Sequence, residues 1–313
     1  MHTLTRITVT MAATQPVAWP HYAGSTLRGA FGRALRKAAC ITGQAKCTGC
    51  PLRQSCAYGV VFDPAAPAQP LHPSFRDGLP RYLVQPPALG ACQLQAGQTQ
   101  SFDLLLLPGT QAHHDLVQHT LRRAVETELF APGLFKLLHT QASQVTVPAI
   151  VPVPTESPPP NANTATHSPA AAQVTLRWLT PLRLQAQGKP LFKPQQLDAT
   201  TLVSALQRRH LQWLQLTQPA PAGDAAARPD WRELVQACTL ETRRMQWHDI
   251  QRHSGTQQKH LPLGGLIGSA VLSGPAQTLN QLHPLLELGE QIHLGKETVM
   301  GLGRYQLSAT EPG

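Results

Sequence analysis

Gly289-Glu290-Gln291-Ile292-His293-Leu294-Gly295-Lys296-Glu297-Thr298-Val299-Met300-Gly301-Leu302-Gly303-Arg304-Tyr305 reads as a short strand, a glycine-bearing loop and a second strand. Glycine has no Cβ, so at Gly295, Gly301 and Gly303 the backbone can take a positive φ or pass within contact distance of a partner. Lys296 and Arg304 flank the loop, so backbone N–H groups and two cations can face one anion. Glycine loops more often serve turns than phosphates, and the loop by itself leaves both readings open.

Upstream runs Leu263-Gly264-Gly265-Leu266-Ile267-Gly268-Ser269-Ala270-Val271-Leu272-Ser273-Gly274, followed by a helical segment with Leu279, Leu282, Leu285 and Leu286 on one face. The order strand, helix, strand, glycine loop, strand resembles the C-terminal half of the repeat-associated RNA-binding (RAMP) superfamily of CRISPR systems. Within that superfamily, the string Gly295-x5-Gly301-x-Gly303-Arg304-Tyr305 is most similar to the CRISPR-associated endoribonuclease family that cuts precursor CRISPR RNA.

Residues far from this loop agree. Leu27, Ala30, Phe31, Ala34, Leu35 and Ala38 follow helical spacing, with Ser25 or Thr26 as N-cap. Arg33, Arg36 and Lys37 fall on the opposite side and Arg28 at the stripe's edge. Gly29 and Gly32 each cost this helix roughly 1 kcal/mol relative to Ala, so something is expected to approach its backbone closely. The string Leu27-Arg28-Gly29-Ala30-Phe31-Gly32-Arg33-Ala34-Leu35-Arg36 resembles the first helix of the same family.

The 313 residues suffice for two ordinary domains. Lys plus Arg exceed Asp plus Glu by 26 − 17 = +9, which favours a polyanionic partner. From Met1 to Phe62 there is no Asp or Glu, while Arg6, Arg28, Arg33, Arg36, Lys37, Lys46 and Arg53 are present. Nucleic acid is the partner this distribution suggests. No apolar run approaches the ~20 residues that span a bilayer, and the N-terminus lacks a signal-peptide core. A cytoplasmic protein without membrane contact is expected, its cysteines being thiols or metal ligands rather than disulfides.

Cys40-x6-Cys47-x2-Cys50-x5-Cys56 offers four sulfurs, two of them in a C-x2-C knuckle, a spacing suited to tetrahedral ligation. A structural zinc is the expected occupant, with an iron–sulfur cluster or plain reduced thiols as alternatives. Four protein sulfurs leave no open position, so such a zinc would not be catalytic. The surrounding block at 40–59 also looks like a cysteine insert found in one branch of the family, and leans towards a type IV-like branch.

The remaining elements fill out two similar halves. Strands are expected at Thr3–Met11, Arg81–Val84 and Gln100–Leu107, a helix at His114–Leu129, and one or two strands over Leu134–Val151. Pro152–Ala172, rich in Pro, Asn and Thr, reads as a linker that cannot bury enough apolar surface to order itself. A strand at Gln173–Gln185, a helix at Leu197–Leu216, and a polar strand and hairpin from Thr239 to Leu263 follow. That hairpin carries Arg243, Arg244, Arg252, His253, Lys259 and His260. Residues 1–151 and 173–313 each read β-α-β-β-α-β, an α+β class. The resemblance implies tandem ferredoxin-like (RNA-recognition-type) domains with a Cys-rich insert in the first. Phe130-Ala131-Pro132-Gly133-Leu134-Phe135 departs from the glycine-rich turn usual there.

The resemblance further implies a metal-independent endoribonuclease with no catalytic cofactor. The RNA 2′-OH would attack, leaving a 2′,3′-cyclic phosphate and a 5′-hydroxyl. Such a cut needs a base, an acid and cations for the phosphorane. Family members often place a histidine near the first helix, whereas others rely on Arg or Lys. His21, just before that helix, is the candidate base. Arg28, Arg243 and Arg244 are candidate charge stabilisers, although alternation along a strand lets only one of the last two face RNA. Arg33, Arg36, Lys37, Arg252, Lys259, Gly295, Lys296, Gly301, Gly303 and Arg304 are candidate RNA contacts. The implied partners are a CRISPR repeat stem-loop, mature crRNA and other Cas subunits. The alternatives are a non-catalytic RNA-binding subunit and, more remotely, a redox or metal sensor built on the cysteines.

Overall fold

The computed structural model describes residues 2–72, 75, 77–147, 150, 171–186, 188–217, 231–253 and 260–309 of the 313-residue chain. The first sheet begins with β1 (His2–Ala13), whose alternating burial follows its sequence, followed by the short β2 (Val17–Trp19). α1 (Gly24–Ala39) comes next, then β3 (Tyr82–Gln85), β4 (Cys92–Leu94) and β5 (Thr99–Leu106). α2 (His114–Arg123) and β6 (Phe135–Val147) complete this half. The spatial order is β3-β5-β1-β6, antiparallel throughout.

The second half repeats the plan. It opens with β7 (Ala171–Trp178), the small β8 (Gln185–Ala186) and β9 (Lys189–Pro190), α3 (Ala199–Thr217) and α4 (Trp231–Val235). β10 (Thr239–His248) leads to the β11 (Gln251–His253) and β12 (His260–Pro262) ribbon. β13 (Gly265–Pro275), α5 (Ala276–Ile292) and β14 (Tyr305–Ala309) end it. Its sheet order is β10-β13-β7-β14. In both halves the second strand of the β-α-β-β-α-β unit stands at the edge and the first lies inside, the ferredoxin-like arrangement.

Period-two alternation explains how the halves meet. Ile7, Val9, Met11, Tyr82, Val84, Phe102, Leu104 and Leu106 face α1 and α2. Their neighbours Leu4, Leu83, Leu105 and Leu107 face the other way and bury Trp213, Leu288 and Ile292 of the second half. The continuous apolar run Leu104–Leu107 is therefore buried on both faces, as such runs require.

Several boundaries differ from the sequence expectation. Gly289–Ile292, expected as strand, continues α5, because the Leu279–Leu286 stripe extends through Leu288, Gly289 and Ile292. α1 starts at Gly24 with Ala23 as N-cap and no side-chain cap, instead of at Ser25 or Thr26. A Cβ on Gly24 would come within 1.9 Å of the Met300 carbonyl oxygen, so the helix start is set by contact with the glycine loop. Most of the expected linker at 152–172, with 152–170, lies outside the described residues, as does Lys259.

Candidate active site between the two domains

His21 and His248 come from opposite ends of the sequence and meet. Their Nε2 atoms are 2.8 Å apart and their ring centroids 4.9 Å apart. His21 is exposed on the turn between β2 and α1, whereas half-buried His248 ends the edge strand β10. Met245 and Trp247 point into the second core, so Gln246 and His248 take the outer face. Beneath the pair, Tyr22 of the first half packs with Ile250, Leu263, Met300 and Leu302 of the second. The Tyr22 hydroxyl also donates to the Met300 carbonyl. Each histidine is thus a near neighbour in sequence of an anchor in one interdomain cluster. One imidazole donates and the other accepts, the direction depending on the tautomer.

His248 was not among the residues singled out in the sequence. It sits in a polar run, Arg243-Arg244-Met245-Gln246-Trp247-His248, where arginine dominates the charge. Only the fold brings it to His21.

Arg28 lies at the stripe's edge as expected, its guanidinium 4.8 Å from the Phe62 ring centroid. Its Nε is buried without a hydrogen-bond partner, its guanidinium interacts with the buried Tyr82 hydroxyl, and no acid among the described residues forms an ion pair with it. The close approach expected at the helix glycines is made by Phe62, whose ring would lie 2.4 Å from a Cβ on Gly32.

Two of the other cations of α1, Arg33 and Lys37, are compensated, although no acid stands near them in sequence. Arg33 and Lys37 bind the Glu128 carboxylate at 3.1 and 2.7 Å, and Arg123 approaches it at 3.7 Å. Burial pushes the Glu128 carboxyl up, but hydrogen bonds from Lys37 and Arg33 outweigh it and hold its pKa below the ordinary carboxylate value. Arg36 donates to the Gln44 and Ala45 carbonyls and lies over the Tyr58 ring, pinning the cysteine insert. Arg53 pairs with Asp63 at 2.8 Å. The acids that pair with Arg33, Lys37 and Arg53 lie beyond Phe62 in sequence.

Arg243 and Arg244 do not alternate across β10. A bulge shifts the register between Arg243 and Gln246, and Arg244 takes φ +48°. Both side chains are consequently exposed, with Arg243 3.2 Å from Glu241. Arg252 lies on β11.

The glycine loop docks the two halves. Gly295, Gly301 and Gly303 have φ of +95°, +91° and +72°. A Cβ on Gly301 would lie 2.5 Å from the Val84 carbonyl oxygen on β3, and one on Gly303 1.7 Å from that of Leu294. The Gly301 and Gly303 amides donate to Thr298 and Pro181 carbonyls, so neither is offered to an anion. Lys296 is exposed. Arg304 is half-buried, where burial lowers its pKa and Asp103 of the first sheet opposes that shift. Next to the loop, His293 is fully buried with φ +61° and ψ +163°. Its Nε2 lies 3.1 Å from Gln85 Nε2.

Cys40, Cys47, Cys50 and Cys56 line one cavity of about 20 Å³, with Lys46 and Arg53 on its wall. The Gly59 amide donates to Cys56 Sγ at 3.3 Å, the kind of outer contact a thiolate ligand uses. The donor type is one that metals take. The four sulfurs do not converge, for among the described residues no three His, Cys, Asp or Glu side chains are placed to hold a metal. Nor is any described helix long and apolar enough to cross a membrane.

Residues 176–305 match the family model of the CRISPR-associated endoribonuclease Cas6, and residues 2–153 match a model described as an N-terminal domain. No curated protein matches the chain. Among solved structures, one Cas6 product complex superposes with TM-score 0.53 at 16% identity, covering 99% of this chain and 100% of that one. A Thermus thermophilus Cas6 product complex gives 0.54 at 15%, covering 97% and 100%. A partial Cas6-RT-Cas1–Cas2 complex gives 0.52 at 15%, covering 99% of this chain but 46% of that one. At such identities the likeness speaks to the fold, which extends over nearly the whole chain. Residues 176–305 thus match the CRISPR-associated endoribonuclease Cas6 family model, and the chain as a whole is similar in fold to solved Cas6 structures.

Proposed function

We propose that this protein is a metal-independent endoribonuclease that recognises a CRISPR repeat stem-loop and cuts precursor RNA to mature crRNA. The observation that carries this reading is the His21–His248 pair at the domain junction. RNA supplies its own nucleophile, so alignment, proton transfer and charge provide the rate. The competent pair holds one imidazolium and one neutral imidazole, with the RNA entering between them. The neutral ring takes the 2′-OH proton as the 2′-oxygen bonds to phosphorus. The imidazolium gives its proton to the departing 5′-oxygen as the P–O5′ bond breaks. The products are a 2′,3′-cyclic phosphate and a 5′-hydroxyl, and the two rings have exchanged protonation states. Arg28, which has no acidic partner among the described residues, is assigned to the charge on the phosphorane.

The test is incubation of the protein with labelled repeat-hairpin RNA in EDTA, beside a copy carrying a 2′-deoxy sugar at the cut site. The expected result is one cut that survives EDTA and is absent from the deoxy copy. Tight binding without any cut would instead identify a non-catalytic RNA-binding subunit that caps the crRNA within a Cas complex. We further propose that Cys40, Cys47, Cys50 and Cys56 hold a structural zinc, supported by their shared cavity and the N–H donor on Cys56.

A further inference from the structure

A cavity of about 550 Å³ lies in the second domain between α3, the segment 183–185 and the start of the glycine loop. Thr201, Ser204, Arg208 and Gln212, spaced three and four apart, present one face of α3 to it. Arg183 and Lys296 stand among the other lining residues. Arg209 also lines it, but its guanidinium is committed. It donates to the Ile292 and His293 carbonyls at the end of α5 and to Gln212 Oε1 at 2.6 Å, which fixes that amide.

The lining chemistry limits what can bind. No acidic residue and no aromatic ring is among the lining residues, so neither a cation nor a stacked base finds its usual partner. Guanidinium, ammonium and hydroxyl groups together suit phosphate oxygens and ribose hydroxyls. The volume is that of a small-ligand pocket, too narrow for a duplex but open to an unpaired sugar–phosphate chain. Arg183 ties the cavity to the histidine pair. Its Nη1 donates to the Gly264 carbonyl at 3.0 Å, and the next residue, Gly265, is the cross-strand partner of His248.

We propose that this cavity is a second RNA contact, which grips the sugar–phosphate backbone of an unpaired segment flanking the cut site regardless of its bases. The proposal rests on the RNA-cleaving reading above and adds a subsite to it. The experiment measures binding of the full chain to two labelled RNAs, a bare repeat hairpin and the same hairpin with unpaired flanks, over a range of salt. Wild type is expected to favour the flanked RNA by about tenfold or more, the worth of one or two charge-assisted hydrogen bonds. Arg208→Glu and, independently, Ser204→Asp should erase that preference, and Arg208→Glu should lower the salt slope by about one. Arg208→Lys should retain most of the preference. Changing the flank's bases should leave affinity unaltered, and cleavage at saturating RNA should stay near the wild-type rate in all three variants.

Wild-type preference in both Arg208→Glu and Ser204→Asp, with cleavage intact, would overturn the cavity proposal and leave the endoribonuclease standing. A wild-type protein that binds neither RNA would remove both. AMP bound in the cavity without displacing flanked RNA would also overturn it, marking a mononucleotide site.

Discussion

His293 shows what a single residue does at the junction between the domains. It sits at the end of α5 in a backbone region that only glycine adopts without cost, fully buried against Gln85. Burial, reinforced by Arg304 and Arg209, lowers its pKa from 6.5 to about 3. The unfolded chain therefore takes up a proton near pH 6.5 that the folded protein refuses until about pH 3. The stability associated with neutral His293 is complete above the unfolded value and is lost as pH falls through that window, by roughly 3–5 kcal/mol in all. Thermal melting from pH 7 to pH 4 should show a shallower loss of Tm for His293→Asn than for wild type, whatever the variant's stability at pH 7. Parallel slopes would mean that His293 is not held neutral. Glu128 illustrates the limit of local reading at the same scale. Arg33 and Lys37 looked uncompensated because their acid lies more than 90 residues away in sequence.

Among the elements, the glycine loop and the cysteine insert were legible in the sequence to different depths. The positive φ of Gly295, Gly301 and Gly303 could be anticipated from residue type. What each glycine faces could not, since Val84 and Pro86, against which Gly301 packs, belong to the other domain. Gly301→Ala should cost roughly 2–4 kcal/mol, strain plus clash. Gly133→Ala, at φ +80° with nothing within 4 Å of its Cβ, should cost only the strain, roughly 1–2 kcal/mol. Equal losses by denaturant unfolding would contradict a docking role for the loop. The short strand expected at the start of the Gly289–Tyr305 stretch is instead helix, because the helical stripe persists through Ile292 and a short apolar run carries no period of its own. For the insert, elemental analysis should give one zinc per chain, and Cys47→Ser with Cys50→Ser should abolish it. Iron with visible absorbance would indicate a cluster instead. Metal-free wild-type protein whose stability is unchanged on adding zinc would contradict the structural role.

At the scale of the molecule, two β-α-β-β-α-β units were readable from apolar periodicity and turn residues because each is local to its own half. Their mutual docking was not, since it depends on the second faces of β1, β3 and β5 meeting α3 and α5. That docking creates the candidate site, which is why His21 could be picked out by its place before α1 while His248 could not. The measurement that bears most directly on the account is single-turnover cleavage of repeat RNA in EDTA by wild type, His21→Ala and His248→Ala, across pH 5–9. Paired acid–base action predicts a bell-shaped wild-type profile and a loss of about 10²–10⁴-fold in each variant, each flattening a different limb. Cleavage by His248→Ala at the wild-type rate, with an unchanged profile, would contradict the assignment of the junction as the catalytic centre.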